Sequence, residues 1–206
     1  MTHSNRIVFL GNQTKTAFFR QVVRHFDPQK TRVSWIVVNA AQRDALLQEY
    51  PAEDVLYLPL STPETRAPCP VKINDLLYRD RRLMHMIDRG RAYLRAIQAP
   101  IADFLGTDLP TLVVGALTYA YEVLPYRLVQ QKLPQVHWGS PFLTRVPAGH
   151  FAFFADEAFS REVWTVPKTG APEAGAAAEE DPDYKAMNRN HIAKQGSPSF
   201  ITEKLG

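Results

Sequence analysis

Two side chains in this sequence of 206 residues could act as general bases, Glu122 and His150. A carboxylate or a neutral imidazole can accept the proton of an attacking hydroxyl group, and the ordinary pKa of histidine suits this work near neutral pH. His150 is followed by the acidic residues Asp156 and Glu157, which could assist it. Each base also has a structural interpretation, in which Glu122 is a solvated helix residue and His150 is an exposed or packing histidine.

The sequence before Glu122 is typical of a ligand-binding corner. The apolar run 111–114 predicts a buried strand, Gly115 permits a close approach of the backbone, and a helix follows. Thr118 could cap this helix while lining a cleft, and Tyr119 precedes Glu122 by one turn. Open α/β sheets bind ligands where such strands end. The alternative is that the tyrosines of this helix pack against the sheet.

A second candidate loop begins at Gly11 and Asn12, between the first predicted strand and the first predicted helix. The free N–H groups at the start of a helix, with Lys15 nearby, could hold a phosphate or a carboxylate. The loop matches neither the G-x-G-x-x-G pattern nor a P-loop, so it carries no usual nucleotide fingerprint. Two interpretations therefore remain, contact with a sugar or phosphate ligand and an ordinary strand-to-helix turn with a capping threonine.

Continuous apolar strands alternate with helical patterns along most of the chain. The predicted strands are 6–10, 33–38, 55–58, 111–114 and 136–138, with a further extended segment at 151–154. The predicted helices are one that ends at Asp27-Pro28, then 40–49, 73–104 with breaks at Gly90 and Pro100, 118–133 and 156–164. This alternation predicts an α/β fold, a three-layer Rossmann-like domain whose parallel sheet is covered on both faces.

The composition narrows the class of protein. Hydrophobic residues make up 45% of the chain, enough to build a core, which excludes a wholly disordered protein. No apolar run approaches a membrane span and no signal peptide is recognised, so a cytoplasmic protein is expected. A net charge of +3 is too small to indicate nucleic-acid binding. Cys69 is the one cysteine, which excludes an internal disulfide and a cysteine-cluster metal site, and neither a metal nor a cofactor is predicted.

The composition changes after residue 166. Residues 168–183 are rich in Ala, Glu, Gly and Pro and show no apolar periodicity, as expected of a linker. We therefore predict a Rossmann-like domain over 1–166 and a flexible linker and tail over 167–206.

The predicted long helix carries a basic face. Its arginines are Arg79, Arg81, Arg82, Arg89, Arg91 and Arg95. Such a face could contact anionic lipid headgroups or the diphosphate of a lipid-linked glycan, which would be a peripheral contact with the inner face of a membrane. Asp75, Asp80 and Asp88 lie among the arginines, so a solvated charged face is the alternative.

From about Arg6 to Glu162, the chain resembles the N-terminal half of capsular-polysaccharide biosynthesis glycosyltransferases of the GT-B type. The resemblance rests on an opening strand followed by an aromatic-rich helix, and on two blocks in order. These blocks are TLVVGALTYAYE at 111–122 and RVPAGHFAFFADE at 145–157.

The resemblance implies a single GT-B-type lobe, the one that holds a glycan acceptor and often the catalytic base. In that family a C-terminal lobe binds the nucleotide-sugar, and transfer needs no bound metal. The implied catalytic residues are Glu122 and His150, and the implied substrate-binding residues are Gly11, Asn12, Gly115, Thr118 and Tyr119. Two lobes of ordinary domain size need about 300 residues, so activity is expected only with a second, donor-binding lobe.

Two other functions stay open at this point. One is a non-catalytic Rossmann-like module that binds a glycan or a partner protein within a polysaccharide biosynthesis complex. The other is a small-molecule enzyme on the same fold, such as a nucleotide-sugar epimerase, although the phosphate fingerprint of such enzymes was not found.

Overall fold

The apolar strands lie side by side in a computed structural model that describes residues 5–12, 15–62, 71–143, 150–159 and 161–167. The strands are β1 (Asn5–Leu10), β2 (Thr31–Val37), β3 (Val55–Tyr57), β4 (Leu112–Val114), β5 (His137–Leu143), β6 (His150–Phe154) and β7 (Glu162–Pro167). The helices are α1 (Lys15–Val23), α2 (Ala40–Leu46), α3 (Asn74–Arg79), α4 (Arg81–Met84), α5 (Ile87–Ala96), α6 (Gln98–Thr107) and α7 (Ala120–Lys132). Cys69, residues 145–149 and the predicted tail after 167 lie outside the described residues.

The strands of the described residues follow the order β3-β2-β1-β4-β5-β6-β7. From β3 to β5 they run parallel, and Phe9 of β1 pairs with Trp35 of β2 and with Val114 of β4. From β5 to β7 they run antiparallel. The predicted α/β fold with a parallel sheet is therefore confirmed. After β5 the sequence predicted only one extended segment, 151–154, whereas the structure has two antiparallel strands, β6 and β7.

Helices cover both faces of the sheet, which gives the three layers. Successive residues of a strand point to opposite faces, so Phe9 joins one core and Val8 the other. The core of Phe9 contains Phe19 of α1 and Leu46 of α2, and the Phe9 and Phe19 rings lie 5.1 Å apart. The core of Val8 contains buried side chains of α3, α5, α6 and α7, among them Leu76, Leu94, Ile101 and Val123.

A buried polar network joins the amino ends of β1 and β2. Arg6 is 6% exposed and donates from Nε to Ser34 Oγ at 3.0 Å, and its terminal nitrogen donates to two backbone carbonyl oxygens at the end of α6. Asp54 accepts from Ser34 Oγ at 2.6 Å and from Arg32 Nε at 2.7 Å. Arg32 also pairs with Asp108 at 3.1 Å. We call these five residues the amino-edge network.

The long helix predicted over 73–104 is wrong in its continuity and in its breaks. The chain there forms α3, α4, α5 and α6, which are separated at Asp80, at residues 85–86 and at Ile97. Gly90 lies inside α5. Pro100 lies in the first turn of α6, where the proline's absent N–H costs no helical hydrogen bond.

The helix predicted over 156–164 is also wrong. The Asp156 carboxylate accepts hydrogen bonds from the backbone N–H groups of Ala158 and Arg161. These bonds fold the chain into a turn, with Phe159 at a φ of 53°, and β7 follows directly. An acid that was expected to begin a helix therefore closes a turn between two antiparallel strands.

No helix among the described residues is long and apolar enough to cross a membrane. In the same residues, no group of three or more His, Cys, Asp or Glu side chains could hold a metal ion. The domain boundary at 166 stays a prediction.

Candidate functional site

The two loops that the sequence singled out meet at one place. The chain leaves β1 towards β2 on one side, whereas β4 pairs with the other side of β1, so the direction of strand addition reverses between β1 and β4. In open α/β sheets, such a switch point leaves a crevice at the carboxyl ends of the strands, where ligands bind. The loop after β1 and the loop after β4 both begin here. We call Asn12, Lys15, Thr118, Tyr119 and Glu122 the switch-point site.

A direct hydrogen bond joins the two loops. Asn12 Nδ2 donates to Glu122 Oε1 at 2.7 Å. Glu122 Oε2 accepts the backbone N–H groups of Thr118 and Tyr119, both at 3.0 Å. The carboxylate thus turns back onto the start of its own helix, as the acidic partner of a capping box does. Because three donors point at its two oxygens, the arrangement suits an ionised carboxylate, which can only accept.

The side chain of Glu122 is 0% exposed. Burial raises the pKa of this carboxyl group, while the hydrogen bonds from Tyr119, Asn12 and Thr118 and the charge of Lys15 act in the opposite direction. Perturbed carboxyl groups of this kind are concentrated at functional sites. In the observed conformation, however, Glu122 positions the two loops and is closed to a ligand, so its role as a base stays a prediction.

Asn12 is the centre of the first loop and is 5% exposed. Its Oδ1 accepts the backbone N–H of Lys15 at 2.7 Å, and its backbone oxygen accepts Thr16 Oγ1 and Gln42 Nε2, both at 2.7 Å. The contribution of Gln42 was missed from the sequence, because this residue lies in α2 and no local pattern connects it to the loop. The loop is therefore held by α1, α2 and α7 together.

Glycines allow the two strand ends to pack closely. A Cβ atom on Gly11 would lie 2.8 Å from Thr16 Oγ1 and 2.8 Å from Val37 Cγ1. A Cβ atom on Gly115 would lie 3.0 Å from the Cβ atom of Leu10. Any larger residue would displace the backbone or its neighbours at the switch point.

Lys15 brings a positive charge to the same edge of the sheet. It is half-buried, and its Nζ donates to the backbone oxygen of Pro141 in β5 at 3.3 Å. Burial lowers the pKa of the ammonium group, and the nearby charge of Glu122 raises it. An anionic or strongly polar ligand in the crevice would therefore meet this cation.

The accessible surface of the switch-point site comes from the start of α7. Thr118 is exposed, and Tyr119 and Tyr121 are each half-buried. The two tyrosine rings stack with their centroids 5.7 Å apart and an angle of 6° between their planes. Tyr121 also packs against the core that contains Val8. The start of α7 therefore presents part of an aromatic surface beside a hydroxyl group.

A second buried carboxylate, missed from the sequence, also caps α7. Asp80 is 3% exposed, and its Oδ2 accepts the backbone N–H of Ala120 at 3.1 Å. The sequence indicated only a surface charge here, because the capped helix begins forty residues later. Asp80 and Glu122 together occupy N–H groups at the start of α7, so this helix end does not present the open anion site that an uncapped helix offers.

His150 begins β6, on the edge of the sheet where β5 ends. Its side chain lies outside the described residues, so its predicted role stays a prediction. The acids expected beside it have structural contacts: Glu157 pairs with Arg127 at 3.3 Å, and Asp156 holds the turn before β7. The structure thus brings together the candidate residues of the loops after β1 and β4 but does not test the role of His150.

The comparisons with known proteins are sparse. No family model matches the chain, and no curated protein matches it in sequence. Among solved structures, it is similar to the crystal structure of Arabidopsis thaliana UGT89C1 complexed with UDP, with 16% sequence identity and a TM-score of 0.36. The match covers 65% of this chain and 34% of that one, so this chain spans a minor part of its neighbour. A match this distant carries no argument about activity, and the fold rests on the strand order described above.

Proposed function

We propose that this chain is the acceptor-side lobe of a GT-B glycosyltransferase that builds a capsular or other surface polysaccharide in the cytoplasm. The observation that carries the proposal is the hydrogen bond between Asn12 and Glu122. It connects the loop after the opening strand to the TLVVGALTYAYE block at 111–122, and both belong to the sequence features that resemble the family. The connection lies at the switch point, where this class of sheet binds ligands.

In this proposal, the sugar of the acceptor packs against Tyr119 and Tyr121 and hydrogen-bonds Thr118. Asn12 holds these residues in place through Glu122. A hydroxyl group of the acceptor attacks the anomeric carbon of a nucleotide-sugar, its proton passes to the general base, and the nucleoside diphosphate leaves with the bonding electrons. His150 is the first candidate for that base, since Glu122 is closed to the ligand in this conformation. A second lobe, on this or another polypeptide, binds the nucleotide-sugar.

One observation favours the alternative of a non-catalytic glycan- or partner-binding module. Glu122 is fully buried and bonded by three donors, so the acid of the switch-point site cannot reach a hydroxyl group without rearrangement. If His150 is not the base, the site can bind a sugar and do no chemistry.

Calorimetric titration of the purified chain tests the acceptor assignment. Capsule-type oligosaccharides should bind, nucleotide-sugars should not, and Tyr121→Ala should weaken oligosaccharide binding about tenfold, since a stacked aromatic contact contributes roughly 1–3 kcal/mol. Phe18→Ala, which changes an exposed aromatic residue of α1, is the matched control and should bind like the wild type. Tight binding of a nucleotide-sugar by this chain alone would contradict the acceptor assignment.

A transfer assay with the complete enzyme separates the two functions. His150→Gln should lower kcat by roughly 10²–10⁴-fold with little change in KM for the acceptor, because a general base acts on the chemical step. His25→Gln changes an exposed histidine just after α1 and should have no effect. Equal rates for the two variants would remove His150 from the mechanism and leave the binding module as the better proposal.

A further inference from the structure

The strand β5 extends beyond the end of its parallel neighbour β4. Val114, the last residue of β4, pairs with Gly139, whereas β5 continues to Leu143. Because a strand rises about 3.3 Å per residue, residues 140–143 extend about 13 Å past the carboxyl end of β4. The antiparallel strand β6 pairs with the same residues. The two strands therefore form a wall beside the crevice at the switch point.

This wall carries an aromatic surface. Phe142 is 52% exposed and shares a strand face with Trp138, because alternate residues of a strand point to the same side. That side faces α7, since the rings of Trp138 and Tyr126 lie 5.3 Å apart. Phe159 is 37% exposed, and its ring centroid lies 5.3 Å from that of Phe142 and 5.5 Å from that of Phe154. We call Phe142, Phe154 and Phe159 the aromatic wall.

The turn that carries Phe159 holds its ring in a fixed place. The backbone there has a φ of 53°, which a residue with a side chain adopts only where the surrounding structure requires it. The two acids of the turn are already bonded. Asp156 accepts the backbone N–H groups of Ala158 and Arg161, and Glu157 pairs with Arg127 at 3.3 Å. Their charges therefore oppose an anionic ligand less than free carboxylates would.

Lys15 brings a cation to the edge of the aromatic wall. Its Nζ donates to the backbone oxygen of Pro141, the residue before Phe142, at 3.3 Å. This bond is long and its acceptor is neutral, whereas an ammonium group has three N–H donors. The nearby carboxylate of Glu122 accepts from Asn12 and from two backbone N–H groups. Lys15 therefore has donor capacity for an anionic group of a ligand.

We propose that Lys15 and the aromatic wall bind an acidic sugar residue of the acceptor. The sugar ring packs on Phe142 and Phe159, and Lys15 Nζ donates to its carboxylate. Hydrogen bonds between charged groups are stronger than those to a neutral carbonyl, so the carboxylate competes well with Pro141. The C–H groups on the face of a pyranose ring cover aromatic surface that otherwise contacts water. This inference rests on the proposed function and narrows its acceptor to a glycan that carries carboxylates.

The charge of this surface favours an acidic sugar over a nucleotide. A single lysine matches the single charge of a carboxylate. A nucleoside diphosphate brings more negative charge, and the loop after β1 carries no phosphate-binding fingerprint. The two ligands make different predictions for the same experiment.

Calorimetric titration of the 206-residue chain tests the inference. The probes are capsule-type oligosaccharides that contain hexuronic acid residues, each compared with its carboxyl-reduced form. The acidic form should bind about tenfold more tightly, and this advantage should shrink as the salt concentration rises. Lys15→Gln should weaken binding of the acidic form about tenfold and of the reduced form much less.

Two further variants test the aromatic wall. Phe142→Ala should weaken binding of both forms severalfold, because the ring packs against the sugar in either. Phe159→Gly should act in the same direction, and glycine suits the φ of 53°. Lys132→Gln, at the exposed end of α7, and Leu109→Ala, at a residue 45% exposed before β4, are the matched controls and should bind like the wild type. Circular dichroism checks the fold of each variant.

The outcomes separate this inference from the proposed function. Equal affinity for the acidic and the reduced forms would overturn the inference and leave the acceptor assignment intact. Tight binding of UDP that Phe142→Ala weakens would also overturn it, since the aromatic wall would then hold a nucleobase. If neither form of any oligosaccharide bound, the acceptor assignment and this inference would both be wrong.

Discussion

The two buried polar networks at opposite edges of the sheet balance charge in different ways. In the amino-edge network, the buried Arg6 donates to Ser34, which in turn donates to the buried carboxylate of Asp54. The half-buried Arg32 pairs with Asp54 and with the exposed Asp108, so cations and carboxylates occur together. In the switch-point site, the carboxylate of Glu122 meets a neutral amide and two backbone N–H groups, with Lys15 as the nearby cation.

This difference separates a structural network from a candidate functional one. The amino-edge network connects strands and the end of α6 through hydrogen bonds that satisfy Arg6 and an ion pair that satisfies Asp54, and such partners make a buried ion tolerable. The switch-point site keeps an acid whose pKa is raised by burial, at the place where α/β sheets bind ligands. A mutation in the amino-edge network should therefore change the free energy of unfolding without changing ligand binding. A mutation in the switch-point site should change ligand binding.

Arg6→Met should cause the largest loss of stability, about 3–5 kcal/mol of unfolding free energy. The substitution removes a buried guanidinium group that donates hydrogen bonds to Ser34 Oγ and to two backbone carbonyl oxygens. Urea unfolding followed by circular dichroism measures this loss. Arg24→Met, at an exposed arginine, is the control and should change stability by less than about 0.5 kcal/mol. If Arg6→Met and Arg24→Met lowered the free energy of unfolding equally, the amino-edge network would contribute no more to stability than an exposed arginine does.

Gly11→Ala should cost stability in the upper part of the range of about 1–3 kcal/mol expected for an overpacked site. Its new Cβ atom would lie 2.8 Å from both Thr16 and Val37, and Thr16 holds the Asn12 loop. Gly106→Ala in α6 has no atom within 4 Å of the added carbon and should instead stabilise the protein by about 0.5–1 kcal/mol. The same unfolding experiment compares the two. If Gly11→Ala were neutral, the close packing at the switch point would not constrain the loop.

Glu122→Gln should cost about 1–2 kcal/mol, because an amide nitrogen would face donors that now point at a carboxylate. It should also weaken oligosaccharide binding, whereas folded Arg6→Met should bind like the wild type. Calorimetry on both variants makes this comparison, with Glu53→Gln at an exposed position as the control. Equal binding by the Arg6 and Glu122 variants would contradict a functional difference between the two networks.

The pH dependence of the Glu122→Gln effect should be the smallest signal. The pKa of Glu122 is raised above its ordinary value of 4.5, so the folded chain holds this proton more tightly than the unfolded chain. The stability that Glu122 contributes is therefore fully present at low pH and declines as pH rises through the raised pKa, by at most about 1.4 kcal/mol per pH unit. The loss caused by Glu122→Gln should thus be larger near about pH 4 than near about pH 7. Urea unfolding of both proteins at each pH checks the sign, and a larger loss at the higher pH would contradict it.

The strands were predictable because their signal is local. The runs 7–10 and 35–38, within the predicted strands 6–10 and 33–38, are continuously apolar, as expected of strands that are covered on both faces, and β1 and β2 lie within two residues of the predicted strands. The helix breaks were not predictable, because tertiary contacts place them. Gly90 stays helical with its missing Cβ atom facing Leu77 and Leu83, while the chain breaks at Asp80, whose carboxylate bonds the start of α7.

The sequence by itself determined the alternation of strands and helical segments from β1 to β5, the glycine corners and the residue types near them, since these depend on periodicity and turn chemistry over a few positions. Tertiary structure decided that Asn12 meets Glu122 across 110 positions and that Asp80 and Glu122 both cap α7. The physical reason is the strand order. Only the placement of β4 beside β1 brings these loops together, and burial at that junction turns an ordinary helix glutamate into a carboxylate with a raised pKa.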